Sequence, residues 1–210
     1  VRQQKWILYE TIIGARVKGA LRIDAPFLTF ADVLQCTREI VTPISGDHGA
    51  ISPNTVQGWM KSRIEVQAGR PTRNRLYSGL DLIRIASLYY LSRTSAVDIK
   101  IAVAMVDHAV GELTRDAERF IAVDDLLEFR PGDYIVARPD KTPRKFTVAV
   151  GIPDANYFHK LLSVQGYAAV FNFGLLVRFA LPILEMKWDE KARWLLGEID
   201  RQIAKKERKR

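Results

Sequence analysis

The stretch Ser52–Leu82, SPNTVQGWMKSRIEVQAGRPTRNRLYSGLDL, decides how the rest of the chain is read. It opens with Ser52-Pro53, a serine N-cap followed by proline at the first helical position, where the missing N–H would have had no partner anyway. Val56, Trp59 and Met60 then fall at i, i+3 and i+4, so one face of this helix turns inward. Asn54, Thr55, Gln57, Lys61 and Arg63 are left on the other faces. From Glu65 to Asn74 the periodicity is lost, and Gly69, Arg70, Pro71 and Arg73 make a short hairpin or loop. Tyr77-Ser78 caps a further helix, Gly79–Arg93, with Leu80, Ile83, Ile85, Leu88 and Leu91 as its apolar set.

Short polar side chains near the start of a capped helix have the reach and the donor and acceptor types to meet base edges in the major groove of DNA. Between Lys61 and Arg75 there are five basic residues and one acid, Glu65. Cations on a loop beside such a helix are placed to meet the phosphates on either side of the groove. The candidate DNA-binding set is therefore Ser52, Asn54, Thr55, Gln57, Lys61, Arg63, Arg70, Arg73 and Arg75. The whole chain, 210 residues with a formal net charge of +8, agrees, because a basic balance favours polyanionic partners. Charge alone does not choose between nucleic acid and an anionic membrane surface.

Upstream, Thr29 is a good N-cap, and Asp32 stands three residues later, where an acid suits the helix dipole. Phe30, Val33 and Leu34 form one apolar face of a helix predicted to run to about Glu39. Pro43, Gly46, Asp47 and Gly49 mark a loop, so the two helices read as a helix-turn-helix with a long turn over Val41–Ile51. Trp6–Val17 has helical spacing and is broken by Gly19, Asp24 and Pro26. Arg2, Lys5 and Glu10 interrupt any apolar run there, so no signal peptide is expected.

The order of these features resembles the DNA-binding domain of MerR-type transcription regulators over roughly residues 29–109. Those regulators show a helix beginning Ser-x-x-Thr-Leu/Val, a wing, and an Arg-x-Tyr-Ser/Thr step into a helix opening with Asp-Leu. Here Ser52, Thr55 and Val56 are followed by the basic loop, then Arg75-Leu76-Tyr77-Ser78 and Asp81-Leu82. The resemblance implies a winged helix-turn-helix. It gives Arg75 a phosphate or minor-groove contact and makes Tyr77 the residue that packs the wing on the core. It also implies a homodimer with recognition helices in successive major grooves, promoter distortion, and a contact with RNA polymerase. Gln57-Gly58-Trp59 replaces the family's Arg-Tyr-Tyr run, and the segment before Phe27 has no counterpart in the family.

Downstream, Ile99, Val103, Val106, Val110, Leu113, Ala117 and Phe120 alternate spacings of four and three. This seam can form a dimer interface or lie on the core of its own domain. After the turn at Arg130-Pro131-Gly132-Asp133, strands are expected at Tyr134–Ala137 and Phe146–Ile152, with a short helix at Tyr157–Val164. The most apolar stretch, Ala168–Leu184, is short for a membrane span and contains Asn172, Arg178 and Pro182. Ala168–Phe179 reads as a buried strand ended by Pro182. A last amphipathic helix carries Trp188, Ala192, Leu195, Ile199 and Ile203, a second candidate dimer seam, and runs into a basic tail.

The expected fold class is α+β and mostly helical. It comprises a helical extension (1–28), a winged helix-turn-helix with a long following helix (29–122), a small α+β domain (130–184) and a C-terminal helix (185–210). One cysteine, Cys36, and three scattered histidines offer no metal cluster, and a lone cysteine fits a reducing cytoplasm. Asp124-Asp125 and Asp189-Glu190 read as helix-cap or surface groups. Phosphate loops and nucleophile elbows are absent, so neither enzyme nor cofactor chemistry is expected. The functional expectation is a sequence-specific regulator on double-stranded DNA in the bacterial cytoplasm, at the nucleoid and away from membranes. The alternative is a phage or plasmid accessory factor for replication, partition, excision or packaging.

Overall fold

The computed structural model describes residue 21 and residues 23–46, 51–62, 76–94, 98–115, 134–139, 146–151 and 169–207. The elements are β1 (Pro26–Leu28), α1 (Phe30–Ser45), α2 (Pro53–Ser62), β2 (Tyr77–Ser78), α3 (Gly79–Thr94), α4 (Ile99–Arg115), β3 (Tyr134–Pro139), β4 (Phe146–Gly151), β5 (Ala169–Asn172) and α5 (Phe173–Glu207). The described part is mostly helical with small antiparallel sheets, as the composition of the predicted elements implied.

Helix α3 is the centre of the molecule. Leu80, Leu82, Ile83, Ile85, Ala86, Leu88, Tyr89 and Leu91 are all buried, so it is apolar around most of its circumference. A helix of that kind must be enclosed, and α1, α4 and α5 pack around it. Its start is fixed by a reciprocal cap: the Ser78 amide donates to Asp81 Oδ2 at 2.9 Å and the Asp81 amide to Ser78 Oγ at 3.1 Å. At the first position of α3, Gly79 leaves no room for a side chain. A Cβ there would lie 2.7 Å from Ile23 Cγ1, 3.1 Å from the Ile23 carbonyl oxygen and 3.3 Å from Leu184 Cδ1.

Helix α1 starts where the sequence placed it. The Thr29 hydroxyl accepts from the Asp32 amide at 3.2 Å, and Asp32 Oδ2 receives the Thr29 amide at 2.8 Å and hydroxyl at 2.6 Å. It ends six residues later than expected, because the single N–H missing at Pro43 falls in the last turn while Ile40, Val41 and Ile44 continue the apolar face. Gly46 closes the helix in the left-handed region (φ 68°), its amide bonded to the Thr42 carbonyl at 2.9 Å. The turn predicted over Val41–Ile51 therefore begins at Gly46 and is shorter by one helical turn and more.

The strand expected over Ala168–Phe179 is corrected. Only Ala169–Asn172 is strand. Asn172 Oδ1 accepts the Leu175 amide at 2.9 Å and caps α5. The apolar residues that follow, Phe173, Leu176, Val177, Ala180, Leu181 and Leu184, are buried on one helical face. Pro182 is exposed on the opposite side and does not stop the helix. The boundary drawn between residues 184 and 185 thus falls inside one continuous helix of 35 residues, about 52 Å long at 1.5 Å per residue.

The expected strands at Tyr134–Ala137 and Phe146–Ile152 are present within a residue or two at their ends, as β3 and β4, paired antiparallel from Tyr134↔Gly151 to Pro139↔Phe146. β3 is central, with β4 and β5 on its two sides. α4 lies against β3 and β4. Phe171 of β5 stacks on Tyr90 of α3, ring centroids 5.2 Å apart, and meets Phe173 edge-on at 6.0 Å. The helices Trp6–Val17 and Tyr157–Val164, and the seam residues Ala117 and Phe120, lie outside the described residues.

The described side chains of the two candidate dimer seams pack inside the chain; those of Leu113, Ile199 and Ile203 lie outside the described part. On α4, Val106 and Val110 are buried with Ala102, Met105 and Ala109, and Ile99 and Val103 are half-buried against the same core. On α5, Trp188, Ala192 and Leu195 are buried, with Trp188 edge-on to Phe27 at 5.0 Å. Lys191 on the same face reaches Asp32 Oδ2 at 3.0 Å, tying the C-terminal helix to the cap of α1. No helix among the described residues is long and apolar enough to cross a membrane.

Burial raises the Asp32 pKa, but the Thr29 hydroxyl and amide and the Lys191 ammonium outweigh it and hold the carboxyl below its usual range. A depressed carboxyl contributes stability that is present above the unfolded value near ~3.9 and is lost as pH falls through the folded value. Asp32→Ala is therefore expected to cost about 1 kcal/mol at neutral pH. Urea titrations across pH should show that difference shrinking below pH ~4.

Candidate nucleic-acid interface

Helix α2 is held by one side and presents the other. Val56 is fully buried, and Trp59 and Met60 are half-buried against the core, as their spacing predicted. The Val56 amide bonds the Ser52 carbonyl at 3.2 Å, which places Ser52 at the N-cap. Ser52, Pro53, Asn54, Thr55, Gln57 and Gly58 are exposed. The helix carries no acidic residue, so no side chain of its own offsets the positive end of its dipole. The exposed face thus offers amide and hydroxyl groups beside the N-terminal N–H donors of the helix, a combination suited to base edges and phosphate.

Lys61 lies in the last turn of α2, and its side chain is outside the described part. Arg63, Arg70, Arg73 and Arg75 lie outside the described residues. Both ends of the segment that carries them are fixed. It leaves from Ser62 at the end of α2 and returns at β2. β2 pairs antiparallel with β1, Pro26↔Ser78 and Leu28↔Tyr77, immediately before the cap of α1. Tyr77 is buried with its ring 6.1 Å from that of Phe30. The described residues on either side of positions 63–75 are thus held in the fold, α2 by Val56 and β2 by Tyr77.

Cys36 is fully buried on α1, and burial pushes its thiol up to about 12. A thiol held protonated and enclosed is a packing residue, in line with its position on the inner face of α1. Among the described residues no group of three His, Cys, Asp or Glu side chains could hold a metal.

Sequence reasoning missed two features of this region. Gly58 sits in the middle of the exposed face of α2, and a Cβ there would meet nothing within 4 Å among the described residues. Its helical spacing from Asn54 was the available signal. The Lys191–Asp32 and Trp188–Phe27 contacts join residues far apart in the chain, for which no local signal exists. Scanned against the models of known families the chain matches none, and no curated protein matches it.

Proposed function

We propose that the chain is a sequence-specific double-stranded DNA-binding transcription regulator of the MerR type, acting as a homodimer. In this reading α1 and α2 are the helix-turn-helix and residues 63–75 are the wing. The observation that carries it is the exposed face of α2, free of acids, bearing Ser52, Asn54, Thr55 and Gln57 on a helix fixed from beneath by Val56. Asn54, Thr55 and Gln57 meet base edges. Ser52 and the first N–H groups meet a phosphate. Lys61, Arg63, Arg70, Arg73 and Arg75 neutralise the backbone on both sides. Two copies related by a twofold axis read half-sites about one helical turn apart.

Mapping the DNA bound in cells tests the role. A regulator occupies promoters, many of them responsive to loss of the protein. Occupancy confined to a replication origin, a partition locus or a packaging site would replace this reading with the accessory-factor alternative.

A further inference from the structure

We infer, on the basis of the DNA-binding reading above, that Gly58 sets how deeply α2 seats in the major groove. Asn54, Gly58 and the backbone position of Lys61 fall at i, i+4 and i+7, along the middle of the exposed face and opposite the buried Val56. Glycine is, proline aside, the least favourable residue for a helix interior. At Gly79 the fold itself requires it, because Ile23 and Leu184 occupy the space of a Cβ. At Gly58 a Cβ would meet no described residue within 4 Å, so packing within the described chain gives no reason for a residue that weakens a ten-residue helix.

The side chains around it supply one. Asn54, Thr55 and Gln57 are short, and the exposed part of α2 before Lys61 carries no arginine or lysine to reach across a gap. A helix that reads bases with short side chains must lie close to the floor of the groove. A Cβ at the centre of its face would be the first atom to collide there. Gly58 removes that atom, and its backbone then lies against a base edge while Asn54 and Gln57 bond the neighbours. Glycine serves close backbone approach to a ligand in this way generally.

The test uses the full chain, the duplex recovered from a random pool as probe, and two alanine variants. Gly111 on α4 is also an exposed helical glycine facing open space, and it lies outside the helix-turn-helix, so Gly111→Ala is the control. Both Gly58→Ala and Gly111→Ala are expected to raise the thermal midpoint, by up to about 2–4 °C. Gly58→Ala is expected to weaken binding to the duplex at least tenfold while Gly111→Ala leaves it unchanged. A loss smaller than tenfold for Gly58→Ala, or an equal loss for Gly111→Ala, would overturn the inference. So would a lowered midpoint for Gly58→Ala, which would mean that the fold demands the glycine. Failure of the unaltered chain to bind any duplex would overturn the DNA-binding reading itself, and this inference with it.

Discussion

Replacing Phe27 by alanine is expected to remove about 3–5 kcal/mol of stability, out of a total of about 5–15 kcal/mol for a protein of ordinary stability. Phe27 is fully buried in β1, and its ring meets Trp188 of α5 edge-on at 5.0 Å and 89°. Its neighbour Leu28 is also fully buried and pairs with Tyr77 of β2. The side chain therefore fills the space between β1 and α5. Its removal leaves a cavity walled by two rigid elements that collapse poorly, and it forfeits the ring–ring contact, worth about 0.5–1.5 kcal/mol beyond area burial. Denaturant unfolding measures the loss. Phe27→Leu, which keeps most of the volume, should cost less than about 1.5 kcal/mol. A loss below about 1 kcal/mol for Phe27→Ala would mean that α5 does not clamp the front of the molecule.

The double replacement Arg73→Ala/Arg75→Ala is expected to flatten the salt dependence of DNA binding. Each phosphate contact contributes about −0.9 to the slope of log K against log salt concentration, so losing two should reduce the slope by about 2. The affinity loss is correspondingly greatest at low salt and shrinks as salt rises. On the wing reading both arginines face solvent, so folding should be nearly untouched, within about 0.5 kcal/mol. Equal slopes for the double variant and the unaltered chain would remove both arginines from the interface, and with them the assignment of residues 63–75 as a wing.

The parts of the fold that were legible in the sequence are those governed by local chemistry. Thr29 with Asp32, Ser52-Pro53 and Ser78 with Asp81 each announce a helix start through short-range bonds, and all three starts are where they were expected. β3 and β4 were visible because alternating branched and aromatic residues are bounded by turn residues. Helix α5 was misread because AVFNFGLLVRF is rich in strand-forming residues, and Pro182 looked like a stop. What decides the matter is Asn172, whose side chain switches the chain from strand to helix, and the exposure of Pro182, where the lost N–H disturbs only the outer face. The heptad reading of α4 pointed to Val106 and Val110, which are buried; Ala102, Met105 and Ala109 are buried with them and lay outside that pattern. On the candidate interface, the exposure of Asn54, Thr55 and Gln57 followed from the position of Val56. The partnership of Lys191 with Asp32 depended on a tertiary contact that no local pattern encodes.

Selection of bound sequences from a random duplex pool, with the unaltered chain and with Asn54→Ala, tests whether α2 reads the bases of duplex DNA. The unaltered chain should yield a defined motif made of two symmetry-related half-sites. Asn54→Ala should show relaxed preference at one position of each half-site, worth about 1–3 kcal/mol per base pair, with bulk affinity much less changed. Recovery of no enriched motif by the unaltered chain, or the same motif with the same discrimination from Asn54→Ala, would contradict base reading by α2.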